Sequence, residues 1–379
     1  MHLKKISVWI LALLLLSCSS DDSTDTPPDE DLLFKLKLQS IIDSKTGDDK
    51  LVGVSVSIHV DGEERWNLQG GISDDNTPIH DNMRFGIASI TKTVVAATTM
   101  KLVDEGILTL DDTIDDWLTL GATNVNNTAT IFQLLNHFSG IDGYMYPELW
   151  NRVESNLSTP IPQIELVDYI GPKTNDPGVT HEYSNSNYLL LGLIIEKATG
   201  KTVGEVMRDK FWTPLQLNNT YFGTNESIIG SIATPWRDSD GNGTLEDISS
   251  EFDAAYHSVF YCAADVFTTA SDLSMWAQHL YNGNAISESS KLKMLTSYFN
   301  IPHPTFTGYG LGVRRNVYAG RTMWGHTGGM RGYGSHMFYD PISKVSIASL
   351  NNQSRSENGP VLRHELVEEL LTEVFNKVN

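Results

Sequence analysis

Three short segments carry side chains whose types and spacing suit covalent chemistry: Ser89-Ile90-Thr91-Lys92, Tyr183-Ser184-Asn185 and His326-Thr327-Gly328. A serine and a lysine three positions apart on a helix share one face. A serine hydroxyl becomes a nucleophile only when a neighbouring base relieves it of its proton. The stretch from Ser89 to Glu105 reads as that helix, with Gly106 as its stop. The N-terminus of such a helix adds positive potential where an oxyanion would develop. A capping serine beside a surface lysine gives the same letters, so the first segment decides little alone. The second segment adds a phenol and an amide, the third a strand rich in donors. All three in this order imply acyl transfer through a serine.

The surroundings extend the pattern. Asn82-Met83-Arg84-Phe85-Gly86-Ile87-Ala88 leads into Ser89, and Leu102-Val103-Asp104-Glu105-Gly106-Ile107-Leu108 follows its helix. Further on come Leu134-Leu135-Asn136-His137-Phe138-Ser139-Gly140, Tyr183-Ser184-Asn185-Ser186-Asn187-Tyr188 and Gly325-His326-Thr327-Gly328-Gly329. Taken together these segments resemble the penicillin-recognising serine hydrolases, the superfamily of class C β-lactamases, D-alanyl-D-alanine carboxypeptidases and related esterases. The resemblance runs essentially from Leu32 to the C-terminus. It implies that Ser89 is acylated, that Lys92 relays its proton, and that Tyr183 serves as general base and then as acid. It also implies that Asn185 orients Lys92 and holds the substrate amide, and that the backbone N–H groups of Ser89 and Gly329 form the oxyanion hole. Thr327 and Gly328 would bind substrate, and the chemistry would need no metal or cofactor. A free tyrosine titrates near pH 10, so Tyr183 requires neighbouring positive charge, from Lys92 and from protonated His326.

One departure shapes the functional expectation. Many β-lactamases of this superfamily carry lysine where this chain has His326, and a histidine is cationic only at lower pH. The H-T-G version resembles carboxypeptidases, D-aminopeptidases and esterases. The resemblance therefore implies a D-alanyl-D-alanine carboxypeptidase-like enzyme or a D-amino-acid peptidase acting on amide bonds. A carboxylesterase and a class C-type β-lactamase remain open within the superfamily. A surface-binding lipoprotein without turnover is the rival from another class. Arg331 either binds a substrate carboxylate or is a solvated strand-end arginine. Of the aromatic residues between the motifs, Tyr144 and Tyr146 are the candidates for lining a substrate cleft.

The elements that must position these groups follow from hydropathy patterning. Leu33, Leu36, Ile41 and Ile42 predict a first amphipathic helix. Val52 to Val60 and Arg65 to Gly71 predict two strands joined at Asp61-Gly62. Tyr309 to Arg315, Ser335 to Tyr339 and Val345 to Leu350 predict further strands, and Pro360 opens a strongly periodic final helix. The expected fold is α/β of the α+β type: an antiparallel sheet of about five strands flanked by N- and C-terminal helices. Its strands come from residues 32–85 and 300–379. Residues 86–299 form a mostly helical part, with the active site between the two.

Composition sets the outer bounds. The chain has 379 residues, 40% apolar and 20% charged, as in ordinary globular domains. Its formal charge of −20 disfavours nucleic acid and anionic bilayers as binding surfaces. Lys4 and Lys5 precede an apolar run from Ile6 to Leu16 that is too short to span a bilayer. Leu15-Leu16-Ser17-Cys18 resembles the lipobox of bacterial lipoproteins, which implies cleavage after residue 17 and lipidation of Cys18. Ser19-Ser20-Asp21-Asp22 resembles a surface-export tag, and residues 18–31 read as a flexible tether to the cell envelope. Cys262 would then be the one remaining thiol. Asp238 to Glu246 places oxygens at calcium-loop spacing, yet Ser249 stands where a bidentate glutamate is needed. A Gly-Asn-Gly turn between two short strands accounts for the same residues.

Overall fold

The computed structural model describes residues 29–61, 66–74, 76–297, 299–301, 303, 306–354 and 359–378. The expected leader, Cys18 and all of the expected tether before Asp29 lie outside the described residues. Among the described residues no helix is long and apolar enough to cross a membrane.

The first helix, α1 (Glu30–Lys45), begins slightly earlier than the hydropathy suggests. Asp29 is the reason, since its carboxylate accepts from the Asp31 N–H and caps the first turn. Strands β1 (Gly53–Val60) and β2 (Trp66–Asp74) form the expected hairpin, in a register that pairs Ile58 with Trp66 and Gly53 with Gly71. A two-residue β3 (Thr77–Pro78) extends this edge. The second half of the sheet comprises β4 (Phe299–Asn300), β5 (Gly308–Tyr309), β6 (Arg314–Tyr318), β7 (Arg321–Met330), β8 (Tyr333–Asp340) and β9 (Val345–Asn351). The sheet order is β3-β2-β1-β9-β8-β7-β6-β5-β4. Pairing of β1 with β9, from Val54 opposite Asn351 to Val60 opposite Val345, joins the two ends of the chain.

The sheet therefore has nine strands rather than about five. Three of the nine are two-residue pieces. The stretch from Tyr309 to Arg315 is not a single strand. Gly312, at a φ of 75°, turns the chain, and the Gly310 N–H donates to the Val313 carbonyl, giving the β5–β6 hairpin.

Two cores lie on opposite faces of the sheet. On one face, Val54, Val56, Ile58 and Val60 of β1 meet Leu38 and Ile42 of α1 and the apolar stripe of α6. That helix, the last of those labelled here, spans Gly359–Val378. On the other face, small residues let a helix approach closely: Ser274 of α5 (Ala270–Tyr281) hydrogen-bonds Ser346 of β9 at 3.0 Å. Further from the sheet, α2 (Thr91–Asp104), α3 (Asn185–Thr199) and α4 (Ala254–Ala264) share the larger core. Almost every residue of α2 is buried, so this helix is central, not superficial. Its stop is the expected Gly106, at a φ of 71°.

The acidic loop is closed by its own backbone. Asp238 accepts from the N–H groups of Gly241 and Gly243, Asp240 from Asn242, and Asn242 from Thr244. It lies between two paired two-residue strands, Trp236–Arg237 and Glu246–Asp247.

The docking of α6 is a test of this architecture. Leu370 is fully buried against the sheet. Leu370→Ala is expected to cost about 2–5 kcal/mol of unfolding free energy by urea denaturation, the usual range for emptying a leucine site. A loss within the error of the measurement would contradict this packing.

Candidate active site

Ser89 sits on a short 3₁₀ turn, Ala88–Ile90, that feeds directly into α2. Ala88 has a φ of 50°, uncommon for a residue with a side chain, and the turn is pinned from several sides. The Ile87 N–H donates to the Val266 carbonyl, the Val266 N–H donates to the Thr91 hydroxyl, and Ser335 of β8 donates to the Ile87 carbonyl at 2.7 Å. Gly328 permits this close approach: a β-carbon there would lie 2.2 Å from the Ile87 oxygen. Beside Gly329, by contrast, the space is open.

One turn beyond Ser89, at the start of α2, Lys92 is fully buried. Its Nζ lies 2.8 Å from Asn185 Oδ1, 2.7 Å from the Ala263 carbonyl and 3.1 Å from Ser89 Oγ. An ammonium only donates, which fixes the Asn185 amide with its oxygen toward Lys92 and its Nδ2 toward Met145 Sδ. Two of the three protons on Nζ are thus held by groups that can only accept. The third is left to Ser89 Oγ and the Tyr183 oxygen, which also hydrogen-bonds Lys92. Burial pulls the Lys92 amine below its ordinary value of 10.5, against the pull of Tyr183 in the other direction.

Tyr183 precedes α3, whose N-cap is Ser184. The residue is 38% exposed, and its oxygen hydrogen-bonds Lys92 and Ser89. Burial alone would raise the phenol. The Lys92 and Arg314 charges and the bonds from Lys92 and Ser89 outweigh it and hold the group below 10.

Arg314 was not legible as a site residue. Its guanidinium lies over the Tyr183 ring, 5.4 Å from the centroid, and Nη1 donates to Thr327 Oγ1 at 2.6 Å. It reaches the site because β6 pairs with β7, with Arg314 opposite Gly325. Only the basic pair Arg314-Arg315 one strand before the H-T-G segment could have signalled it.

His326 is brought to the site but not as a cation. It is fully buried, and burial, Arg314 and Lys92 together hold it well below 6.5. The permanent charge beside Tyr183 belongs to Arg314 instead. Arg331 is engaged elsewhere: its guanidinium pairs with Glu251 at 3.0 Å and Glu154 at 3.6 Å and lies over the Trp150 ring. Tyr144 is fully buried and donates to the Val259 carbonyl, so it is a core residue and cannot line an open cleft. Tyr146 is partly exposed, with its hydroxyl donating to Asp142. Cys262 is a buried free thiol.

The profile of the Beta-lactamase family matches residues 38–371, and this chain belongs to that family. Among curated relatives, it is 23% identical to unguisins hydrolase ungD' of Aspergillus campestris over 84% of this chain and 62% of the relative. It is 27% identical to penicillin-binding protein 4* of Bacillus subtilis, over 74% of this chain and 63% of the relative. The chain thus spans a little under two thirds of the length of these curated relatives. In fold it is similar to D-amino acid amidase from Ochrobactrum anthropi SV3, crystallised with L-phenylalanine amide. The TM-score is 0.80 at 24% identity, covering 91% of this chain and 99% of the other.

Buried neutral histidines make a pH prediction. His137 and His326 lie well below 6.5 and His336 at about 3, burial being the first cause in each case. As pH falls through 6.5 the unfolded chain takes up protons that these folded groups refuse, so their contribution, full above 6.5, is lost. Each costs about 1.4 kcal/mol per pH unit. His257, raised by Asp265 against the effect of burial, acts in the opposite sense. The opposing effect of His257 falls above 6.5, so the net expectation between roughly pH 6 and 5 is a loss of about 3–4 kcal/mol per unit. A urea midpoint that stays flat over that interval would contradict the neutral assignments.

Proposed function

We propose that this chain is a serine hydrolase that is acylated on Ser89 and cleaves an amide next to a D-amino acid, in a D-alanyl-D-alanine carboxypeptidase-like or D-amino-acid peptidase reaction. The observation that carries this reading is the convergence of Lys92 Nζ, Ser89 Oγ and the acidified Tyr183 phenol within one hydrogen-bonded cluster. Tyr183 accepts the Ser89 proton as Oγ attacks the carbonyl carbon. The backbone N–H groups of Ser89 and Gly329 receive the developing oxyanion. Collapse of the tetrahedral adduct breaks the C–N bond, and Tyr183 returns its proton to the departing amine. Water then cleaves the ester on Ser89 by the reverse sequence. Asn185 keeps Lys92 in place through its Oδ1, while its Nδ2 faces Met145 Sδ.

Arg314 supports a substrate that bears a carboxylate. Its Nη1 donates to Thr327 Oγ1, and among the described residues no acidic side chain hydrogen-bonds or ion-pairs with it. This role replaces the one expected of His326 or Arg331. The similarity to a protein named for D-amino acid amidase activity and to a penicillin-binding protein agrees with this substrate class. A carboxylesterase is the second reading, since an ester needs less protonation of its leaving group, and the same residues would serve it. For the N-terminus we propose lipidation of Cys18, supported by the Leu15-Leu16-Ser17-Cys18 sequence, which would tether the domain to the outer membrane or its periplasmic face.

Intact-protein mass spectrometry after incubation with penicillin tests the acylation. A covalent adduct on the native protein, absent from Ser89→Ala, is the expected result. An adduct retained by Ser89→Ala would overturn the assignment. For the carboxylate, Arg314→Gln is expected to raise KM at least about tenfold for a peptide with a free C-terminal carboxylate. KM for its amidated counterpart should change far less. Equal losses on both substrates would count against a carboxylate-binding role.

A further inference from the structure

Behind the cleft runs a buried line of hydrogen bonds whose direction is set by its two ends. At one end the Ser184 backbone N–H (3.2 Å) and Asn187 Nδ2 (2.9 Å) both approach His137 Nδ1. A backbone N–H can only donate, so His137 Nδ1 is unprotonated and the proton of the neutral ring is on Nε2. Nε2 lies 3.2 Å from the Tyr309 hydroxyl. At the other end His326 Nδ1 lies 2.6 Å from the Thr327 carbonyl, which can only accept. The proton of neutral His326 is therefore on Nδ1, and its Nε2 accepts from the Tyr309 hydroxyl at 3.1 Å. With both rings neutral, Tyr309 accepts from His137 and donates to His326; the Tyr188 hydroxyl, which itself donates to the Leu135 carbonyl at 3.1 Å, also lies within hydrogen-bond reach of Tyr309.

Nothing on this line is solvated, because His137, Tyr309, His326 and Asn187 are all fully buried. Asn187 is itself oriented by Ser139, which donates to its Oδ1 at 2.5 Å. His137 also has a φ of 63°, a conformation that a non-glycine residue keeps only when its surroundings enforce it. One end of the line is the residue after Tyr183, and the other is the residue before Gly328.

We infer that His137 and Tyr309 are positioning residues for acylation. The line from Ser184 and Asn187 through His137, Tyr309 and His326 to Thr327 sets the span between the Tyr183 loop and the β7 strand, across which Ser89 reacts. The inference rests on the serine-hydrolase reading above. His137 also packs its ring on Tyr183, 4.3 Å between centroids, so a shift in the line moves the phenol as well as the strand. Low local dielectric strengthens such a chain while every member is satisfied and makes one missing link expensive.

The test has two arms. In native protein labelled with ¹⁵N-histidine, ring-nitrogen shifts are expected to show His137 protonated on Nε2 and His326 on Nδ1. Opposite tautomers, or a protonated ring at pH 7, would overturn the inference without any variant having to fold. In the second arm, Tyr309→Phe keeps the ring and removes the hydroxyl. Its acylation rate by a fluorescent penicillin at Ser89 is expected to fall about tenfold or more at a nearly unchanged KM. The His326 tautomer signature should be lost with it. A folded Tyr309→Phe that acylates at the native rate would refute the positioning role. Native protein that fails to acylate with the penicillin while showing the expected tautomers would count against the D-alanyl-D-alanine carboxypeptidase-like reading and leave the line intact.

Discussion

A buried ammonium is the constraint around which this molecule is arranged. Removing a lysine charge from water carries a penalty of several kcal/mol unless every proton finds an acceptor. Lys92 meets that demand with groups from separate parts of the chain: Ser89 one turn back, Asn185 at the start of α3, and the Ala263 carbonyl near the end of α4. The α4 helix is broken just before that carbonyl, where Tyr261 has a φ of 35° inside an otherwise helical run. Strain of this kind persists where the surroundings impose it. Anchoring Lys92 thus ties together the Ser89 turn, the Y-S-N loop and the α4 kink.

The same burial divides the cationic labour. A histidine placed between Lys92 and Arg314 in a dry site stays neutral, whatever the motif around it suggests. A guanidinium pays no comparable penalty in protonation state, since arginine does not lose its proton in proteins. Charge for the Tyr183 phenol therefore comes from Lys92 and Arg314, and His326 becomes a hydrogen-bonding element between Tyr309 and Thr327. His326 in the third motif thus brings no charge to the site, and the fixed charge there sits on the neighbouring strand, at Arg314.

Much of the architecture was legible because it rests on local patterns. The β1–β2 hairpin, the long α2 with its glycine stop and the periodic α6 follow from alternation, helical period and chain breakers. The count of strands was not, because two-residue strands such as Thr77–Pro78 and Gly308–Tyr309 carry too few residues to show a period. Within the site, Ser89, Lys92, Tyr183 and Asn185 could be named because their spacing and order stand in the sequence, and the fold brings all four together. Tyr144 looked like a cleft aromatic from its neighbours in sequence, yet its hydroxyl is spent on Val259. Arg331 stood near the third motif, but Glu251 and Glu154 had a prior hold on it in space.

By itself, then, the sequence determined the family, the serine and lysine one helical turn apart, and the order of the three motifs, because each is written in contiguous residues. Only the tertiary structure decided which cation faces the phenol and in which sense the buried histidines hydrogen-bond. Those properties arise between segments far apart in the chain. Arg314 reaches Thr327 through strand pairing, and His137 reaches His326 through Tyr309. A protonation state is set by burial and by the charges around a group, and neither exists until the chain has folded.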